Sequence, residues 1–159
     1  MSAVCFDPIA GASGDMILGA LLDLGVDVRH IERVLRSGGL DGFTLEFRHH
    51  ETSAHMRYGV CAVHSAEGHA HRHLHHILEL VERSDASVRA KTRAAAIFTR
   101  LAEAEAAVHG IPIAEVHFHE VGAIDTVVDV LGACVALDAL AVDHVYCSTF
   151  KIGSGTVRC

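Results

Sequence analysis

Six of the chain's fourteen histidines lie between positions 64 and 76: His64, His69, His71, His73, His75 and His76. A neutral imidazole offers one ring nitrogen as a borderline-soft donor, and several in one segment satisfy zinc, nickel or copper without a rigid cage. The tract is internal and irregular, broken by Ala70, Arg72 and Leu74, which sets it apart from an affinity tag. Its composition reads as metal contact, with His69, His71, His73, His75 and His76 as ligands; the plain alternative is a polar loop rich in His.

A second group runs from Val116 to Asp125, with His117, His119, Glu120 and Gly122 between them. In an extended segment His117 and His119 fall on one face and can reach one metal, with Glu120 as ligand, orienting group or base. Asp125 and Asp129, four apart on the following helix, share a face; on a helix this apolar they need partners, and a metal or a protonated His would serve. The competing reading makes Glu120 and Asp125 helix caps and the histidines locally paired donors.

A third group is Asp7-Pro-Ile-Ala-Gly11-Ala-Ser13-Gly14-Asp15. A strand that ends in a Gly/Ser turn and enters a helix presents free N–H groups at the positive end of the dipole, which suits a phosphate. The segment lacks the Lys of a P-loop and the spacing of a dinucleotide fingerprint, so a plain turn with Ser13 as N-cap competes on even terms. Asp7 sits where open α/β sheets gather ligands, and Asp15 complements the dipole in either case.

These groups need elements to hold them. Ala3 to Asp7 reads as a buried strand; Ile17, Ala20, Leu21 and Leu24 follow at helical spacing, and Asp27 caps a second helix carrying Ile31, Val34 and Leu35. Alternation from Phe43 to Val63 predicts two antiparallel strands joined around Ser53 to Met56, so the His tract (64–76) is expected to leave the sheet as a mobile loop. Leu74, Ile77, Leu78 and Val81 open a short helix. A longer one is expected from Ala86 to Val108, capped by Asp85, and a mostly apolar one from Ala123 to Leu140. Val145 to Ile152 reads as a last strand. The expected fold is α/β (α+β): one domain over 1–159, a small mixed sheet with helices packed mainly on one face.

A formal charge of −7 argues against nucleic acid and favours cationic ligands. Five scattered cysteines without a Cys-x-x-Cys pair read as reduced thiols. The opening residues do not form a signal peptide and the longest apolar run, carrying Asp129 and Asp138, is too short to span a bilayer, so a cytoplasmic protein without membrane contact is expected.

Taken together, Asp7 with Gly-x-Ser-Gly-Asp-Met at Gly11 to Met16, Gly-Ala-Leu-Leu-Asp-Leu-Gly-Val at Gly19 to Val26, the His tract, Ala-Glu-Ala-x-x-His-Gly at Ala104 to Gly110, Val-His-Phe-His-Glu-Val-Gly-Ala-x-Asp at Val116 to Asp125 and Gly-Ser-Gly at Gly153 to Gly155 resemble the LarC-type nickel-insertion family in the same order. That resemblance implies a CTP-dependent cyclometallase of lyase type. It would place Ni²⁺ in pyridinium-3,5-bisthiocarboxylic acid mononucleotide, forming nickel–carbon and nickel–sulfur bonds and cleaving CTP to the monophosphate and pyrophosphate, in the maturation of lactate racemase-like enzymes. On this reading the tract collects nickel, His117, His119, Glu120 and Asp125 deliver or position it with Asp129 as a further ligand, and Asp7, Gly11, Ser13, Gly14 and Asp15 hold the organic ligand. The likeness is to the N-terminal part of the family; CTP, with a divalent cation, is expected on a later region, in the same protein or on a companion chain. A nickel or zinc store or chaperone, and a metal-dependent phosphohydrolase, are the competing functions.

Overall fold

The computed structural model describes residues 1–9, 11–65, 72–118, 123–150 and 153–156. Their order is β1 (Ala3–Phe6), α1 (Gly14–Asp23), α2 (Val28–Ser37), β2 (Phe43–Glu51), β3 (Arg57–Ser65), β4 (Arg72–His73), α3 (Leu74–Arg83), α4 (Val88–His109), a 3-10 turn (Ile113–Glu115), β5 (His117–Phe118), α5 (Ile124–Ala139) and β6 (His144–Cys147). The α/β class is as expected. Among the described residues, however, the strands form three two-stranded sheets: β1 with β6 in parallel, β2 with β3 antiparallel and β4 with β5 antiparallel. None of the helices described is long and apolar enough to cross a membrane.

Local chemistry accounts for most boundaries. Asp27 accepts from the Arg29 N–H at 2.9 Å and starts α2, whose Ile31, Val34 and Leu35 form one buried stripe. The cap of α4 is Ser87, which accepts from the Ala90 N–H, and not Asp85, whose own N–H is held by Ser37 Oγ at 2.8 Å. Gly110 ends α4 in the left-handed region at φ 66°. The β2–β3 hairpin keeps register from Phe43↔Ser65 to Glu51↔Arg57 around a turn in which His55 has φ 60°. The last strand stops at Cys147, short of the expected Ile152, which lies outside the described residues.

α5 is the axis of the fold. Nine of its sixteen residues are buried, more than one stripe can supply, because α1, α2 and α4 all pack on it. Phe98, Leu131, Leu18, Ile31 and Ile77, all fully buried, tie these helices into one core. α1 lies between α5 and β3, and its close approach to the hairpin needs two glycines. A Cβ on Gly19 would stand 3.0 Å from the Gly59 carbonyl oxygen; one on Gly59 would meet the Phe47 ring at 2.7 Å and the Gly19 carbonyl oxygen at 2.9 Å. Gly59→Ala is therefore expected to cost about 2–3 kcal/mol of stability by prising α1 from the hairpin, readable as a lower urea midpoint. An unchanged midpoint would show that the helix yields freely.

Candidate metal and substrate site

The His tract does not end as a free loop. His64 lies on β3, while His73 stands on β4 and His75 and His76 in the first turn of α3; only positions 66–71 of the tract, with His69 and His71, lie outside the described residues. β4 pairs with β5 in the register Arg72↔Phe118 and His73↔His117. Directly opposed residues of an antiparallel pair share a face, so the end of the tract and the second His group, 44 positions apart in sequence, meet as one pair of rings with centroids 4.0 Å apart. Alternation holds them there: Val116 and Phe118 are buried on either side of the exposed His117, and Ile77 and Val81 seat α3 in the core.

Two more rings crowd the same spot. His75 lies 5.4 Å and His76 5.7 Å from His73, and they are 3.9 Å from each other. His73 Nδ1 is buried and has no hydrogen-bond partner among the described residues, which is costly unless a ligand satisfies it. The rings are stacked, tilted or edge-on to one another, and among the described residues no group of three or more His, Cys, Asp or Glu is set to hold a metal ion. The chemistry of the donor set suits a divalent transition metal, with side-chain rotation required to converge on it. His119 and Glu120 lie outside the described residues.

Asp125 and Asp129 occupy the first turns of α5, as their spacing requires. Asp125 is exposed and Asp129 turns inward against the start of α1. A Cβ on Gly14 would lie 2.5 Å from the Asp129 Cβ, so only glycine lets the two helices meet there. Among the described residues Asp129 Oδ1 is buried without a partner. Burial, reinforced by the nearby Asp15 and Asp125 carboxylates, raises its pKa from 3.8 to about 7. Beneath it Cys61 on β3 is pushed up to about 11 by burial and by Asp129 and Asp15, so this thiol stays protonated.

Ser13 is the N-cap of α1 by backbone but makes no side-chain cap bond; its hydroxyl donates instead to Asp15, whose Oδ1 also accepts from the Met16 N–H at 2.9 Å. The positive end of α1 is thus already met by Asp15 and Asp129, and an anion arriving at Ser13 and Gly14 would need a cation with it. Asp7, at the end of β1, accepts from Ser148 Oγ at 2.5 Å. It stands at a cleft of 290 Å³ shared with Cys5, Phe6, Gly11, Met16 and Ile17, an apolar floor with one carboxylate at its rim. Cys61 and Ser148 carry no sequence signal for these contacts, because they touch Asp129 and Asp7 only through tertiary packing.

The nickel insertion protein family model matches residues 4–159. The chain belongs to this nickel insertion protein family. A putative nickel insertion protein of Dictyoglomus thermophilum is 43% identical over 158 residues, 99% of this chain and 41% of that protein. The pyridinium-3,5-bisthiocarboxylic acid mononucleotide nickel insertion protein of Desulfitobacterium hafniense is 40% identical over 99% of this chain and 39% of its own length. The protein of the same name from Geobacillus kaustophilus is 38% identical over the whole chain and 41% of its own length. The chain thus spans about two-fifths of the length of these curated nickel insertion relatives. No solved structure matches it.

Proposed function

We propose that this protein inserts nickel into pyridinium-3,5-bisthiocarboxylic acid mononucleotide, the activity for which its relatives in Desulfitobacterium hafniense and Geobacillus kaustophilus are named, as part of nickel-pincer cofactor assembly in the cytoplasm. The observation that supports it most directly is the opposition of His73 and His117 across β4–β5, with His75 and His76 beside them. Nickel is here a substrate. The imidazoles of His73, His75, His76 and His117, with His69, His71 and His119, receive it as neutral nitrogen donors, a ligand type that suits nickel. Asp125 and Asp129 supply negative charge near the start of α5. Replacing a ring C–H by C–Ni sets a proton free, and Glu120 or a neighbouring imidazole accepts it. Asp7, Gly11, Ser13, Gly14 and Asp15 hold the organic substrate, its cationic ring facing the Asp7 carboxylate.

CTP, with its divalent cation, belongs in this proposal to the region of the family that the chain does not span, and the finished cofactor passes to lactate racemase-like apoenzymes. The test supplies Ni²⁺, CTP and the pyridinium dithiocarboxylate nucleotide to the chain, with and without that region, and scores activation of apo lactate racemase. Activation is expected only with the region present and only with the intact His117 block. Activation by a His117→Ala, His119→Ala double variant, together with its loss on deletion of residues 69–76, would instead make the protein a metal chaperone.

A further inference from the structure

The β1–β6 pair is built in a way that an isolated domain does not sustain. Parallel sheets occur almost only with both faces covered, and a two-stranded sheet has little stability of its own. β1 obeys this on one side: Val4 and Phe6 pack against the core, while Ala3 and Cys5 point away. Val145 and Cys147 of β6 stand in register with Val4 and Phe6 and so share their face, yet all four residues of β6 are exposed. The strand therefore overhangs the body of the domain with both faces open. On its outer face His144 and Tyr146 continue the row begun by Ala3 and Cys5. Tyr146 is 58% exposed, Val145 47% and Phe150, just past the strand, 57%, so large apolar side chains stand open on both faces of the strand and at its end. Among the described residues each strand pairs on one edge only, leaving a row of N–H and C=O groups to template a further strand.

We propose that β6 is the docking strand for the part of the family's chain that lies outside the region matched here, which adds a strand to the β1–β6 sheet and covers Val145, Tyr146 and Phe150. The occupant is chosen on two grounds. The curated relatives carry about three-fifths of their length beyond the matched segment, enough for a further domain. And Ser148, directly after the uncovered strand, is bonded to the Asp7 carboxylate, so whatever seats on β6 is brought beside the end of β1 that carries Asp7.

The native thiols report on this without labels. Cys5 and Cys147 are exposed on the two strands, whereas Cys61 and Cys134 are buried and serve as internal controls. The chain is alkylated with iodoacetamide alone and after co-expression with the unmatched part of the Dictyoglomus thermophilum relative, and also as a single-chain fusion to that part in case it is insoluble by itself. Cys147 is expected to react at least about 10-fold more slowly in the complex or fusion, Cys61 and Cys134 as before. A Val145→Asp, Tyr146→Asp variant, altered only at exposed positions, is expected to keep the thermal midpoint of the isolated chain and to lose co-purification. The proposal is overturned by a complex or fusion in which Cys147 reacts as fast as in the chain alone, by association that survives the double variant, or by a chain that sediments alone as a dimer with Cys147 already protected, which would make a second copy the occupant.

Discussion

Loss of either ring of the opposed pair, in His73→Ala or His117→Ala, is expected to weaken Ni²⁺ binding by at least about 10- to 100-fold, the range already seen when a group that only orients a metal ligand is removed. Among the described residues His73 Nδ1 is buried without a partner, a penalty that a bound ion would relieve; His117, its ring centroid 4.0 Å away across the strand pair, is placed to share that ion. Two ligands of one ion are coupled, so the double variant is expected to bind hardly more weakly than either single one, and a double-mutant cycle on calorimetric Kd values measures this. His64, on β3 and paired with Glu46 at 3.3 Å, belongs to the tract by sequence alone, and His64→Ala is the control expected to leave Ni²⁺ affinity near that of the native chain. Losses that simply add for His73 and His117 would place the two rings on different ions and dissolve the composite site.

Asp129→Asn is expected to stabilise the metal-free protein at pH 8 by about 1–2 kcal/mol and to change it little near pH 4, a figure reduced from the full displacement because solvent still reaches part of the side chain. The sign follows from the direction of the shift. Burial beside Asp15 and Asp125 raises the folded pKa to about 7 from 3.8. Between these values the folded chain binds a proton that the unfolded chain does not, so this group's contribution to stability is present at low pH and is lost as pH rises towards 7. The other group facing it, Cys61, stays protonated throughout this window. Asparagine keeps the shape, carries no charge at any pH and removes the slope. Urea midpoints of both proteins at pH 4.5, 6 and 8 in the presence of a chelator test it; parallel lines for variant and native chain would mean that Asp129 is ionised in the fold at little cost.

Much of the architecture was legible locally. α2 followed from Asp27 and its apolar stripe, the hairpin from strict alternation between Phe43 and Val63, and the depth of α5 from a helix apolar on most sides. Local pattern misplaced the cap of α4 because Asp85 and Ser87 are equally good candidates in sequence; the helix starts at Val88, so Ser87 is the residue whose hydroxyl meets the Ala90 N–H. It also joined the strands into one mixed sheet, since periodicity says that a strand forms and nothing about which neighbour it finds. The tract was legible as metal-binding composition, yet its last three histidines belong to β4 and α3, where Leu74, Ile77 and Val81 carry a helical period through the same residues.

What the sequence determined by itself is the inventory: imidazoles in two groups, carboxylates four apart on an apolar helix, a glycine turn after the first strand, and membership of a nickel insertion family. Tertiary structure decided which of these act together. Pairing of β4 with β5 brings His73 to His117, and the contact of Gly14 with Asp129 places a carboxylate against the start of α1 and gives it a pKa near neutrality. Residue type sets what a side chain can donate or accept. Strand register and helix contact set which groups share one patch of low dielectric, and no local stretch of chain specifies either of them.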